Sequence, residues 1–239
     1  MDNDTTSKKV VVVSGAVGYV GSAVVRQLTQ DGFVVAALFH RKKSQSDYSY
    51  HCDLNDPAQV AAVLSQVERE LGPLYACVHA AGAPLVRKNL LASSTEDLQQ
   101  QLEVSVVGGF NFLKACALRL VEHKTGVIVG ITSSVVSPQS STRGLGAYTV
   151  GKYALQGMLT SLHEELLPHG VRVYSVAPGF MPGGMNRGIP PAFVEMLKER
   201  SPTKTLATPQ DVAATVSRLV LSNSPVGDLT VFVAPELEK

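Results

Sequence analysis

The chain is predicted to be α/β in class, a doubly wound parallel seven-stranded sheet with helices on both faces. Three observations predict it. Seven apolar runs, at residues 9–14, 33–39, 48–52, 74–79, 126–132, 171–177 and 229–233, are near-continuous, as strands covered on both faces read. Segments of helical periodicity separate them. A glycine-rich turn joins the first run to the first helix. At 239 residues the chain suits one domain, with 1–8 as a flexible polar terminus and 9–239 as the folded unit.

The first run, 9–14, enters Ser14-Gly15-Ala16-Val17-Gly18-Tyr19-Val20-Gly21 and then a helical stretch at 22–30. Three glycines there let the backbone turn sharply and bring helix N-terminal N–H groups to a pyrophosphate. A glycine turn with no ligand is the plain alternative, and the strand–helix setting favours a dinucleotide site. The second run, 33–39, is followed by His40-Arg41-Lys42-Lys43, and no Asp or Glu occurs between Gly32 and Ser46. A ribose 2′-OH normally meets an acidic residue at this place and a 2′-phosphate meets Arg, so NADP(H) is favoured over NAD(H).

After the run at 48–52, Ala58, Val60, Ala61, Val63, Leu64, Val67 and Leu71 form one helix face, opened by Asp56 as N-cap with Pro57 first in the helix. The run at 74–79 precedes a helix opened by Ser94-Thr95-Glu96-Asp97 in a near-capping-box pattern. Following 126–132, Tyr148 and Lys152 stand one turn apart at the start of a helical segment. A phenol has a pKa of about 10 in water, and a neighbouring ammonium draws it toward neutrality. Tyr148 is then able to donate a proton to a carbonyl oxygen while hydride reaches its carbon. A surface pair is the plain alternative for one YxxxK. Thr208-Pro209-Gln210-Asp211 opens a further helix between the runs at 171–177 and 229–233.

Charge excludes some functions. Twenty-one Lys+Arg against 20 Asp+Glu give a net +1 with no long run of one sign, so nucleic acid and anionic membranes lack their electrostatic footprint. Three cysteines without CxxC spacing imply no disulfide framework or zinc site, and six histidines have no ligand spacing, so no metal is expected. The first apolar run is too short for a signal peptide or membrane span, which points to the cytoplasm.

The glycine turn, His79-Ala80-Ala81-Gly82, Thr132-Ser133-Ser134, Tyr148 with Lys152, and Pro178-Gly179 occur in an order that resembles the short-chain dehydrogenases/reductases. The resemblance spans roughly residues 9–233. It is similar to the compact one-domain branch, including 3-oxoacyl-carrier-protein reductases and NADPH carbonyl reductases. The resemblance implies a Rossmann fold and an NADP-dependent ketoreductase reducing a ketone or aldehyde, possessed of an acyl or polyketide-like chain or a small ring. Tyr148 would be general acid, Lys152 would hold the ribose hydroxyls, and Ser133, with Ser134 as the alternative, would bond the carbonyl. Gly15, Val17, Gly18, Tyr19, Val20, His40, Arg41, Asp53, Leu54, Ala80, Ala81, Gly82, Pro178, Gly179 and Met181 would meet the cofactor. Residues 183–201 would form a substrate lid, and helices at 94–122 and 148–167 would build a homodimer or homotetramer.

Three departures stand out. The family's relay asparagine falls on Ser105, with Asn111 facing another side; a threonine after Pro-Gly falls on Gly183; and the glycines are spaced G-x-x-G-x-x-G, as in the longer sugar-modifying branch. A catalytically weak NADP(H)-binding regulator or scaffold, and a nucleotide-sugar epimerase or dehydratase, therefore remain alternatives. His79 stands where the family has asparagine and is expected to be a satisfied structural imidazole.

Overall fold

The structure, a computed structural model, describes residues 9–201, 203–225 and 227–233. The terminus at 1–8, expected to be flexible, lies outside the described residues. Strands β1 (Val10–Ser14), β2 (Val34–Phe39), β3 (Tyr48–His51), β4 (Leu74–His79), β5 (Gly126–Ile131), β6 (Val171–Pro178) and β7 (Thr230–Val233) form one sheet in the order β3-β2-β1-β4-β5-β6-β7, every pairing parallel. The expected doubly wound class is present, and the strand order turns back between β1 and β4.

Side chains alternate across each strand, so β1 supplies both cores. Val11 and Val13 face α1 (Tyr19–Gln30) and α7 (Pro209–Leu221). Val10 and Val12 face α2 (Pro57–Leu71), α4 (Gly108–His123) and α5 (Gly146–Leu166). Both faces are covered, which is why the strands read as continuous apolar runs.

Helix starts follow their capping residues. Asp56 accepts the Ala58 and Gln59 N–H groups ahead of α2, with Pro57 leading. Ser94 and Asp97 close a reciprocal box on α3 (Thr95–Gln101), as Thr208 and Asp211 do on α7. Helix α1 starts earlier than the 22–30 stretch suggests, because Tyr19 already continues directly from the turn. The region after Ser94 is not one regular helix: α3 passes through a π-helical turn, Leu102–Val107, into α4. The helical run Thr95–His123 is long and apolar enough in composition to cross a membrane; its Phe112, Leu113, Cys116 and Leu120 are buried against the sheet. Residues 183–201 hold a short 3-10 turn at Gly184–Asn186 and α6 (Pro191–Arg200).

Candidate active site

The candidate groups gather at the C-terminal ends of the strands, around the β1/β4 reversal, where open α/β sheets bind ligands. β1 delivers Gly15 into a turn so close to β4 that a Cβ on Gly15 would lie 2.5 Å from the Ala81 nitrogen and 2.6 Å from the Ala80 carbonyl carbon. Gly15 has φ of +67°, which glycine adopts without steric cost. One turn into α1, a Cβ on Gly21 would stand 2.1 Å from the Gly15 oxygen. Gly18 is the N-cap of α1, with no side-chain cap and no acidic residue in the first turn. The helix start therefore leaves N–H groups for an outside anion, and this glycine cradle fits a dinucleotide pyrophosphate.

Val17 and Ala16 lead from that turn into a cleft of about 840 Å³, also lined by Ser22, Arg26, Lys42 and Lys43. His40 and Arg41 are not among its lining residues. His40 lies instead 3.8 Å from the Asp53 carboxylate. Asp53 also accepts the Asn55 N–H at 3.0 Å, and the next residue, Leu54, has its carbonyl bonded by Asn111 Nδ2 at 2.9 Å. Asn111 thus faces the β3–α2 turn, away from Lys152.

Val20 packs against the α1/α7 core, and Tyr19 reaches the stretch beyond β6, donating to the Pro182 carbonyl at 2.6 Å. A Cβ on Gly183 or Gly184 would overlap the Tyr19 side chain. This contact joins the glycine turn to the segment that leaves β6 at Pro178 and carries Gly179 and Met181. The threonine missing at position 183 is thereby explained locally: the tyrosine occupies its space.

Ser133, Tyr148 and Lys152 come together. Ser133 caps a 3-10 turn at Ser134–Val136, its Oγ accepting the Val135 N–H at 3.4 Å, and its hydroxyl acts on the Tyr148 phenol to lower its pKa. Tyr148 projects from the first turn of α5, whose Gly146 N–H donates to the Lys88 carbonyl at 2.9 Å. Lys152 is buried, its Nζ donating to the Ile131 carbonyl at 2.8 Å and standing 5.8 Å from the Tyr148 ring centre. Gly82 lies beside the lysine: a Cβ there would be 4.0 Å from Nζ.

Electrostatics differ from the expectation for the tyrosine. Burial pushes the Tyr148 phenol above its ordinary value, while the Ser133 hydrogen bond and the Arg87 charge pull it down.

Burial drives Lys152 down from 10.5 to about 8. Between those values the unfolded chain binds more protons at this amine than the folded protein, so stability rises with pH there. The cost of the buried charge is full below pH 8 and relieved above it. Ligand-free protein should accordingly gain up to about 3 kcal/mol relative to Lys152→Met as pH rises from about 7.5 to 10.5. Urea unfolding of both proteins at the two pH values checks this; a constant difference contradicts it.

Ser105 lies in the π-helical turn, buried, and its Oγ accepts the Ala83 N–H at 3.3 Å. It therefore ties the segment after β4 to the helix, beside Gly151 and one residue from Lys152. His79 corrects an expectation, for it is only half satisfied. Its Nδ1 meets Ser14 Oγ at 2.9 Å, but its Nε2 has no partner and is directed at Gly109. Burial and the Lys152 charge hold the imidazole neutral, with a pKa of about 3. Sequence reasoning also missed Arg87, which bonds Asn186 Oδ1, because no spacing pattern links those two residues.

Comparisons with known proteins agree with this architecture. Residues 17–226 match a family described as enoyl-(acyl carrier protein) reductase. The chain is 31% identical over 219 residues to the 3alpha-hydroxysteroid dehydrogenase of Mediterraneibacter gnavus, covering 86% of each. It is 25% identical over 225 residues to the 3-oxoacyl-[acyl-carrier-protein] reductase FabG of Staphylococcus aureus, covering 88% of this chain and 90% of that one. A solved structure described as ElxO with NADP bound superposes with a TM-score of 0.85 at 20% identity, covering 95% of this chain and 97% of the other.

Proposed function

The chain belongs to the short-chain dehydrogenase/reductase family of oxidoreductases, and from that premise we propose that it is an NADPH-dependent reductase of small-molecule ketones or aldehydes. The observation that carries this reading is the convergence of Ser133, Tyr148 and Lys152 beside the glycine cradle. Bound NADPH would supply hydride to the carbonyl carbon. Tyr148, protonated at neutral pH because burial raises its pKa, donates its proton to the carbonyl oxygen. Ser133, beside the tyrosine, orients that oxygen and bears part of its developing charge. Lys152 spends one donor on Ile131 and keeps two for the phenol and the ribose hydroxyls. Ser105 positions the Ala83 segment rather than meeting substrate.

Gly15, Gly18, Tyr19 and Val20 hold the pyrophosphate side, Ala80, Ala81 and Gly82 line the sheet edge, and Pro178, Gly179 and Met181 face the nicotinamide end. Asp53 and Leu54 flank the adenine. Arg26, Lys42 and Lys43 make the cleft beyond Val17 basic, which supports a 2′-phosphate there, with Arg41 adjoining. Residues 183–201, carrying Met185, Ile189, Phe193 and Leu197, form the lid over an apolar acyl or polyketide-like chain. Val107, Phe110 and Leu118 on and beside α4, and Val150 and Tyr153 on α5, are exposed apolar residues that support a homodimer or homotetramer.

The test is NADPH consumption across a panel of ketones and aldehydes, repeated with NADH. Turnover should occur, and NADPH should bind at least about 10-fold more tightly than NADH. Equal affinities would remove the basic-cleft assignment. No turnover of any carbonyl would leave the binding-regulator alternative.

A further inference from the structure

Three segments at the C-terminal ends of β4, β5 and β6 lie on the same side of the sheet as Tyr148: 83–95, 133–147 and 178–194. They carry Arg87, Lys88, Arg143 and Arg187 and contain no Asp or Glu. Lys88 is neutralised, since its Nζ lies 2.7 Å from Asp97 Oδ2. Arg87 is different. It takes part in no ion pair among the described residues, and its Nη2 donates to a neutral acceptor, Asn186 Oδ1. Asn186 is itself fixed, donating from Nδ2 to the Met181 carbonyl at 2.8 Å.

The Arg87 backbone is equally well placed. On one side Gln101 Nε2 donates to the Pro84 carbonyl at 2.8 Å. On the other, the Lys88 and Asn89 oxygens accept the Gly146 and Gly144 N–H groups at the start of the helix bearing Tyr148. A guanidinium held by an amide keeps its full charge and most of its five donors for something else. The carbonyl of the next residue, Lys88, is bonded to Gly146 two residues before Tyr148, so Arg87 borders the turn that carries the phenol, and its charge lowers the phenol's pKa.

We propose that Arg87, aimed by Asn186, is a specificity-determining residue that binds a free carboxylate on the substrate, so that the enzyme prefers oxo acids to their neutral esters. This rests on the reductase reading and narrows its substrate class. Planar guanidinium and carboxylate pair through two parallel hydrogen bonds, which neither a neutral ester nor a plain ketone reproduces. Proximity to Tyr148 places the carboxylate within a few bonds of the carbonyl. That separates it from a phosphate at the far end of a carrier arm.

The experiment compares acetoacetate and 4-oxopentanoate with their methyl esters, using the holoenzyme and NADPH. Wild type should show kcat/KM at least about 10-fold higher for the acids. Arg87→Gln should lower the acid value about 30-fold and leave the ester value within about threefold, with Arg87→Lys between. Loss shared equally by acid and ester, or no acid preference in wild type, overturns the proposal while leaving a reductase. If no carbonyl is reduced at all, the reductase reading itself fails. Calorimetry of 3-hydroxybutyrate and its methyl ester on the NADP-loaded protein then decides: Arg87-dependent binding of the acid alone supports the proposal, and its absence overturns it.

Discussion

Tyr148→Phe should bind NADPH within about twofold of wild type and lose about 10²- to 10⁴-fold in kcat with any ketone the wild type reduces. The ring is buried at the start of α5, so phenylalanine keeps its packing. Only the hydroxyl leaves, and with it the proton donor and the partner of Ser133. The nearby hydroxyl of Ser133 is too weak an acid at neutral pH to substitute. Stopped-flow turnover alongside cofactor titration separates the two quantities. Retained turnover would place the proton donor elsewhere, while lost cofactor affinity would signal a packing defect.

A second large effect is expected at the glycine turn. Gly15→Ala places a methyl 2.5 Å from the Ala81 nitrogen and asks alanine to hold φ at +67°. The left-handed conformation alone costs about 1–2 kcal/mol. Relief of the overlap requires the ends of β1 and β4 to part, and Ala80 N–H then loses its 3.1 Å bond to the Ser14 carbonyl. Both atoms in conflict are main chain, so no side-chain rotation helps. The variant should melt several degrees lower and bind NADPH about 100-fold more weakly, because the cradle and the sheet edge move together. Thermal unfolding with and without NADPH measures both. A variant of normal affinity would mean that the turn is not the cofactor's cradle.

What was legible in the sequence was what is local. Continuous valine runs such as Val10–Val13 mark a strand with two covered faces, and each predicted run lies within a residue or so of the observed strand. Asp56, Ser94 and Thr208 announce helix starts because a cap acts over three residues. The π-helical turn around Ser105 was not legible, since it inserts one extra residue per turn without changing composition. Contacts between distant segments were also hidden. Arg87 and Asn186 are 99 residues apart, and Tyr19 and Pro182 are 163 apart. Only the fold brings them together. The half-satisfied His79 belongs with these, because its environment is set by Gly109 and Phe112 on another element.

The strand order has a consequence for how the molecule assembles. Of the seven strands β1 comes first along the chain, yet it ends in the middle of the sheet, between β2 and β4. Its partner β4 starts at Leu74, and β7, at the far edge, begins at Thr230. α1 likewise shares its core with α7, from the opposite end of the chain. Most of the buried surface thus waits on loop closures across long stretches of chain. Such non-local topologies fold slowly, on the order of milliseconds to seconds, and they leave valine-rich strand edges bare meanwhile. A nascent chain stopped before α7 leaves bare the side of Val24 and Leu28 that α7 covers, so the docking of α7, rather than emergence of the glycine turn, sets when the cofactor cradle becomes rigid.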